Sequence, residues 1–232
     1  MNPLLIALDV SSKNRALELA DILRNVAGGF KIGSKLFTAE GPSIVDALVA
    51  RGDKIFLDLK FHDIPNTVAA AVTAASDLGV WMLTVHTQGG IDMMRAAKEA
   101  AHSGSVTPLV VGITVLTSLD HDALQTIGVS RQIPDQVTRL ASLAQKAEID
   151  GVVASPREVK AIRETCGADF KIVTPGIRSD LETTSLVHDD QVRTASATDA
   201  VQDGADYIVV GRPIIEAPDP IEAAQRISAE LA

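Results

Sequence analysis

The run Asp58-Leu59-Lys60-Phe61-His62-Asp63 places two carboxylates and an amine within six residues. Asp58 and Lys60 are two apart behind the aliphatic run Ile55-Phe56-Leu57, so in an extended strand both side chains face one way. Taken alone, such a pair at a strand end is an ordinary surface ion pair. Here Asp63 follows three residues on, and Lys31 lies at the tip of the preceding strand segment, Phe30-Lys31-Ile32. Lys31, Asp58, Lys60 and Asp63 are therefore expected to converge at one end of the fold. Alternating charge favours the charged form of each member, and an ammonium held in such an array can act as a general acid.

Two further stretches fit an anion. Gly211-Arg212 follows the aliphatic Tyr207-Ile208-Val209-Val210. Backbone N–H groups at a helix start and an arginine fork suit a phosphate dianion. Thr174-Pro175-Gly176-Ile177-Arg178 puts Arg178 behind another strand, and the long polar stretch 179–195, with Gln191 in it, is expected to form a mobile lid. Asp9, His86, Thr114 and Thr117 also fall at strand ends. His62 reads as a brace for its loop, and His86 as structural or supporting. Cys166 reads as packing, while His102, His121 and His188 lack metal-ligand spacing.

Positioning these residues requires an alternation of elements. Short aliphatic runs predict strands at 4–10, 30–32, 55–58, 81–86, 109–114, 151–154, 171–174 and 207–210. Between and after them, helical spacing predicts helices at 14–26, 41–51, 66–78, 93–102, 136–148, 158–165, 197–202 and 220–231. Eight such alternations with no Ser/Gly-rich linker predict an α/β chain folded as a closed (β/α)8 TIM barrel, one domain over residues 1–232. An open doubly wound sheet would need a Gly-rich loop after its first strand, and Asp9-Val10-Ser11-Ser12-Lys13 is not one. With aromatics at only 3%, the core must be built from Ala, Val, Ile and Leu.

The net charge of −9 excludes the broad positive field of a duplex nucleic-acid binder, so any cationic site must be local. One cysteine permits no intramolecular disulfide, which fits a reducing compartment. Neither a signal peptide nor a membrane-length apolar run is read, so a cytoplasmic globular protein is expected.

The segment from Asp58 to Thr67, Asp-Leu-Lys-Phe-His-Asp-Ile-Pro-Asn-Thr, closely resembles the signature of the orotidine 5′-phosphate decarboxylase family, in its bacterial form. The similarity continues through Ala7-Leu8-Asp9, Lys31-Ile32-Gly33, Leu116-Thr117-Ser118, Asp190-Gln191-Val192-Arg193 and Val209-Val210-Gly211-Arg212. The resemblance implies conversion of orotidine 5′-monophosphate to uridine 5′-monophosphate and carbon dioxide, the last step of de novo pyrimidine synthesis. It implies neither metal nor organic cofactor. By the same resemblance Lys60 donates the proton to C6, Asp58 lies beside the departing carboxylate, Lys31 completes the charge array, and Lys31 and Asp9 meet the ribose. Thr117 and Ser118 meet the pyrimidine, while Arg178, Gln191, Gly211 and Arg212 grip the phosphate. Asp63, Ile64 and Thr67 correspond to residues that reach the neighbouring subunit's site, which implies a homodimer with shared active sites.

Two alternatives stand beside this. Magnesium-dependent barrels acting on 3-keto-L-gulonate 6-phosphate share the D-x-K-x-x-D pattern but carry an acidic metal ligand at the tip of strand two, where this chain has Lys31. A catalytically silent nucleotide-binding barrel would need only the strand-eight end, not both lysines and both aspartates.

Overall fold

The computed structural model describes residues 2–177 and 196–231. Among them are eight strands, β1 (Leu4–Ala7), β2 (Gly29–Gly33), β3 (Ile55–Phe61), β4 (Met82–His86), β5 (Leu109–Ile113), β6 (Gly151–Val153), β7 (Lys171–Thr174) and β8 (Tyr207–Val210). They pair in parallel and in sequence order, and β8 returns to β1 (Leu5 opposite Val209), closing the barrel. The helices of the described residues are α1 (Lys13–Leu23), α2 (Ser34–Glu40), α3 (Ser43–Val49), α4 (Pro65–Asp77), α5 (Gly90–Ala101), α6 (His121–Thr126), α7 (Ile133–Lys146), α8 (Val159–Cys166), α9 (Ala197–Gln202), α10 (Arg212–Ile215) and α11 (Pro220–Glu230).

Strand period explains why both faces of the barrel wall are apolar. Leu5, Ala7, Phe56, Met82, Val111, Val173, Tyr207 and Val209 form an inner cluster. Their alternates, among them Leu4, Ile6, Leu57, Leu83 and Val152, join the larger core beneath the helices. At the end where strands begin, the Trp81 and Tyr207 rings meet edge-on at 5.2 Å between centroids, and Lys54 Nζ lies 5.7 Å over Trp81. That end is a packed floor, and polar chemistry is left to the opposite rim.

The observed elements depart from expectation at several points, among them β3, which runs on to Phe61 rather than ending at Asp58. β1 stops at Ala7 rather than Val10, although Leu8 N still donates to Lys31 O at 3.0 Å. Two short helices, α2 and α6, were not anticipated; each buries one apolar side chain fully, Leu36 and Leu124, too little to give a periodic signal. α6 does carry a readable start, since Asp120 accepts from Ala123 N at 2.9 Å as its N-cap.

Candidate active site

Three neighbouring strands deliver the charged cluster. Lys31 on β2 pairs in register with Ala7 and Phe56, both in the inner cluster, and Asp58 lies two residues beyond Phe56. Both therefore face the barrel axis at its C-terminal end. Lys31 Nζ donates to Asp9 Oδ1 at 3.0 Å and stands 3.8 Å from Asp58 Oδ2. Lys60 Nζ donates to the same Asp58 oxygen at 2.9 Å. The result is a row of alternating sign, Asp9, Lys31, Asp58, Lys60. Its middle is dry, with side chains 11% and 13% exposed at Lys31 and Asp58, and its Lys60 end opens to 37%.

The backbone reaches this arrangement by an unexpected route. Lys60 has φ +55, a conformation that side-chain-bearing residues rarely adopt. Along β3 and β4 the register passes from Leu57 opposite Leu83 to Phe61 opposite Val85, so four steps on one strand match two on the other. Lys60 and Asp58 meet through this bulge, not through simple strand alternation. The displaced Lys60 N–H finds a side chain instead, donating to Thr84 Oγ1 at 2.8 Å, while Thr84 Oγ1 donates to Asp58 Oδ1 at 3.1 Å. Thr84 is fully buried and was not among the expected site residues. Its readable signal was a hydroxyl at the strand position midway between inward Met82 and His86.

Gly33 makes room for the row. A methyl carbon there would stand 2.9 Å from Lys31 Nζ and 3.1 Å from Asp9 Oδ1.

Asp63 corrects the residue-based expectation of four charges converging in one chain. β3 ends at Phe61, and residues 62–67 run outward to the start of α4, all of them exposed. Asp63 Oδ1 accepts from Ile64 N at 2.6 Å and forms no ion pair with the array among the described residues. Ile64 is 67% exposed, and Thr67 is exposed on the first turn of α4.

The remaining candidates are distributed around the same rim. Thr117 and Ser118 lie in the turn between β5 and α6, half-buried and exposed respectively. Gly211 follows β8 and caps α10, and a methyl there would lie 3.8 Å from Asp9 Oδ2, which puts the β8 end beside the charged row. Arg212 is the first residue of α10 and is exposed. Thr114 is buried and donates to Val153 O at 2.8 Å, a bond within the barrel wall. Arg178, Gln191, His188 and the expected lid over 179–195 lie outside the described residues.

His62 and His86 stack with ring centroids 5.0 Å apart. Burial, with His62 and the Lys60 ammonium nearby, lowers the His86 pKa to about 4. His86 is thus a neutral ring near pH 7, packed behind the array. Among the described residues no group of three or more His, Cys, Asp or Glu side chains is arranged to hold a metal ion, and no helix is long and apolar enough to cross a membrane.

A closed parallel barrel with a charged row at the C-terminal mouth and a glycine-arginine step after strand eight defines the class of phosphate-substrate (β/α)8-barrel enzymes. The chain belongs to the orotidine 5′-phosphate decarboxylase / HUMPS family, whose model matches residues 2–227. It is 50% identical to the orotidine 5′-phosphate decarboxylase of Dichelobacter nodosus over 99% of both chains. It is 47% identical to that of Saccharophagus degradans, over 99% of this chain and 94% of the relative. Among solved structures, orotidine 5′-phosphate decarboxylase from Lactobacillus acidophilus superposes with a TM-score of 0.85 at 36% identity, covering 100% of this chain and 99% of that one.

Proposed function

We propose that this chain decarboxylates orotidine 5′-monophosphate to uridine 5′-monophosphate and carbon dioxide, the last step of de novo pyrimidine synthesis. The observation that carries the reading is the alternating row Asp9–Lys31–Asp58–Lys60, whose most accessible ammonium belongs to Lys60. Breaking the bond from C6 to the carboxylate leaves an electron pair on a carbon with no adjacent sink. The Lys60 ammonium beside that carbon stabilises the pair electrostatically and then gives it a proton, forming the new C–H bond. Asp58 faces the departing carboxylate while Lys31 and Lys60 hold its own charge in place. Lys31 and Asp9 meet the ribose, and Thr117 and Ser118 meet the pyrimidine. Gly211 and Arg212, with Arg178 and Gln191, take the phosphate, whose remote binding energy can drive assembly of the charged site.

The exposed run from Asp63 to Thr67 supports a homodimer in which Asp63, Ile64 and Thr67 complete the partner's site. The enzyme acts in the cytoplasm, on a small molecule rather than on nucleic acid or membrane. Lys31 supports a metal-independent reaction, because its ammonium lies against both Asp9 and Asp58, the carboxylates a divalent cation would otherwise bridge. The test is the absorbance change on loss of orotidine 5′-monophosphate, with and without EDTA. Wild type turns over in both, and Lys60→Ala loses turnover while still binding uridine 5′-monophosphate. Near-normal turnover by Lys60→Ala refutes the proton-donor role, and activity abolished by EDTA favours the magnesium-dependent barrels.

A further inference from the structure

The Thr84 hydroxyl touches both members of the Asp58–Lys60 pair. It accepts the Lys60 backbone N–H at 2.8 Å, so its only proton is directed to Asp58 Oδ1 at 3.1 Å. Asp58 Oδ2 is then left to the ammonium groups, Lys60 at 2.9 Å and Lys31 at 3.8 Å. The Lys60 backbone needs this help. The bulge removes its N–H from the ladder with β4, and its φ of +55 is not one the residue adopts unaided. A buried hydroxyl on the adjacent strand thus fixes the backbone of one residue and the carboxylate orientation of the other.

We infer that Thr84 is a positioning residue for decarboxylation, holding the Lys60 backbone and the Asp58 carboxylate in one fixed relation through a single hydroxyl. The inference rests on the decarboxylase reading above. Thr84 acts through its neighbours and need not meet the substrate. Substitution by valine keeps the β-branched shape and removes the hydroxyl, leaving Lys60 N–H and Asp58 Oδ1 each short of a partner. Serine keeps the hydroxyl and removes the methyl.

The experiment compares wild type, Thr84→Val and Thr84→Ser for kcat on orotidine 5′-monophosphate, affinity for uridine 5′-monophosphate, and exchange of the product's C6 hydrogen for deuterium in D2O. The exchange reaction uses the same proton transfer without any carboxylate to lose. For Thr84→Val, kcat and the exchange rate fall together by about 10- to 100-fold, the range for loss of a hydrogen bond to a charged group. Product affinity stays within about threefold, and Thr84→Ser stays within about threefold of wild type in all three measurements, as retention of the hydroxyl requires. If Thr84→Val does not fold, Thr84→Ala is compared with Thr84→Ser in the same way. Three results overturn the role: unchanged kcat in the variant lacking the hydroxyl, a serine variant as impaired as valine, or a loss confined to product affinity. A wild-type chain inert toward orotidine 5′-monophosphate overturns the decarboxylase reading itself, which separates the two failures.

Discussion

Gly33→Ala should damage the site while sparing the fold. Its backbone, at φ −95 and ψ 177, is open to any residue, so no strain attaches to the substitution. Removing a glycine lowers the entropy of the unfolded chain and favours folding by about 0.4–1 kcal/mol. Against that, alanine is a poorer N-cap for α2 than glycine, so the two effects largely cancel. The new methyl is a different matter for the charges. At 2.9 Å from Lys31 Nζ and 3.1 Å from Asp9 Oδ1 it falls well inside the roughly 3.5 Å at which non-bonded atoms rest. The flexible lysine can yield, and about half an ångström relieves the overlap. That movement takes the ammonium off its 3.0 Å bond to Asp9 and alters its distance to Asp58. Since misplacement by an ångström can cost about a hundredfold in rate, a loss of about tenfold in kcat/KM is expected. Thermal melting should move by no more than a few degrees. In a Lys31→Ala background there is no ammonium to displace, so adding Gly33→Ala should cost little more. A full-strength second loss in that background, or undiminished activity in Gly33→Ala alone, refutes the reasoning.

Two other predictions address the partner and the histidine pair. Mixing inactive Lys60→Ala with inactive Asp63→Ala should restore part of the activity, because one kind of site in the mixed dimer then carries both native residues; verified heterodimers without activity would remove Asp63 from the shared site. His86, held near 4 when folded and near 6.5 when unfolded, leaves the unfolded chain binding the extra proton between those values. Its contribution to stability is therefore complete above about pH 6.5 and is lost as pH falls toward 4, by about 2 kcal/mol after allowance for its partial exposure. Urea unfolding at pH 7 and pH 4.5 should show a larger drop for wild type than for His86→Gln, and equal drops would contradict the buried-ring assignment.

The barrel was legible because its wall is buried on both faces. Runs such as Leu4-Leu5-Ile6-Ala7 and Tyr207-Ile208-Val209-Val210 carry no polar interruption until the rim. Lys31 and Asp58 stood out for the same reason, as charges inside aliphatic strands that only a site could compensate. Local geometry was less legible. The D-x-K spacing located the Asp58–Lys60 pair, but the bulge and the positive φ that join them depend on how β3 lies against β4, a tertiary relation. Thr84 offered only a faint signal for a related reason: a β-branched residue in a strand is unremarkable until its hydroxyl is seen between two charged neighbours. Asp63 shows the opposite limit, since spacing grouped it with Asp58 and Lys60 while the turn into α4 carries it outward.

The packed floor has a consequence for traffic. Phe56, Met82, Val111 and Tyr207 fill the barrel below the charged row, and Trp81 caps Tyr207 beneath them. On the proposed assignment, carbon dioxide released beside Asp58 has this apolar cluster beneath it and the rim above. It must leave by the doorway through which the nucleotide came in, past the pyrimidine that has just been protonated. Departure of carbon dioxide and retreat of the nucleotide then share one passage, so a nucleotide still seated at the rim stands in the way of the gas.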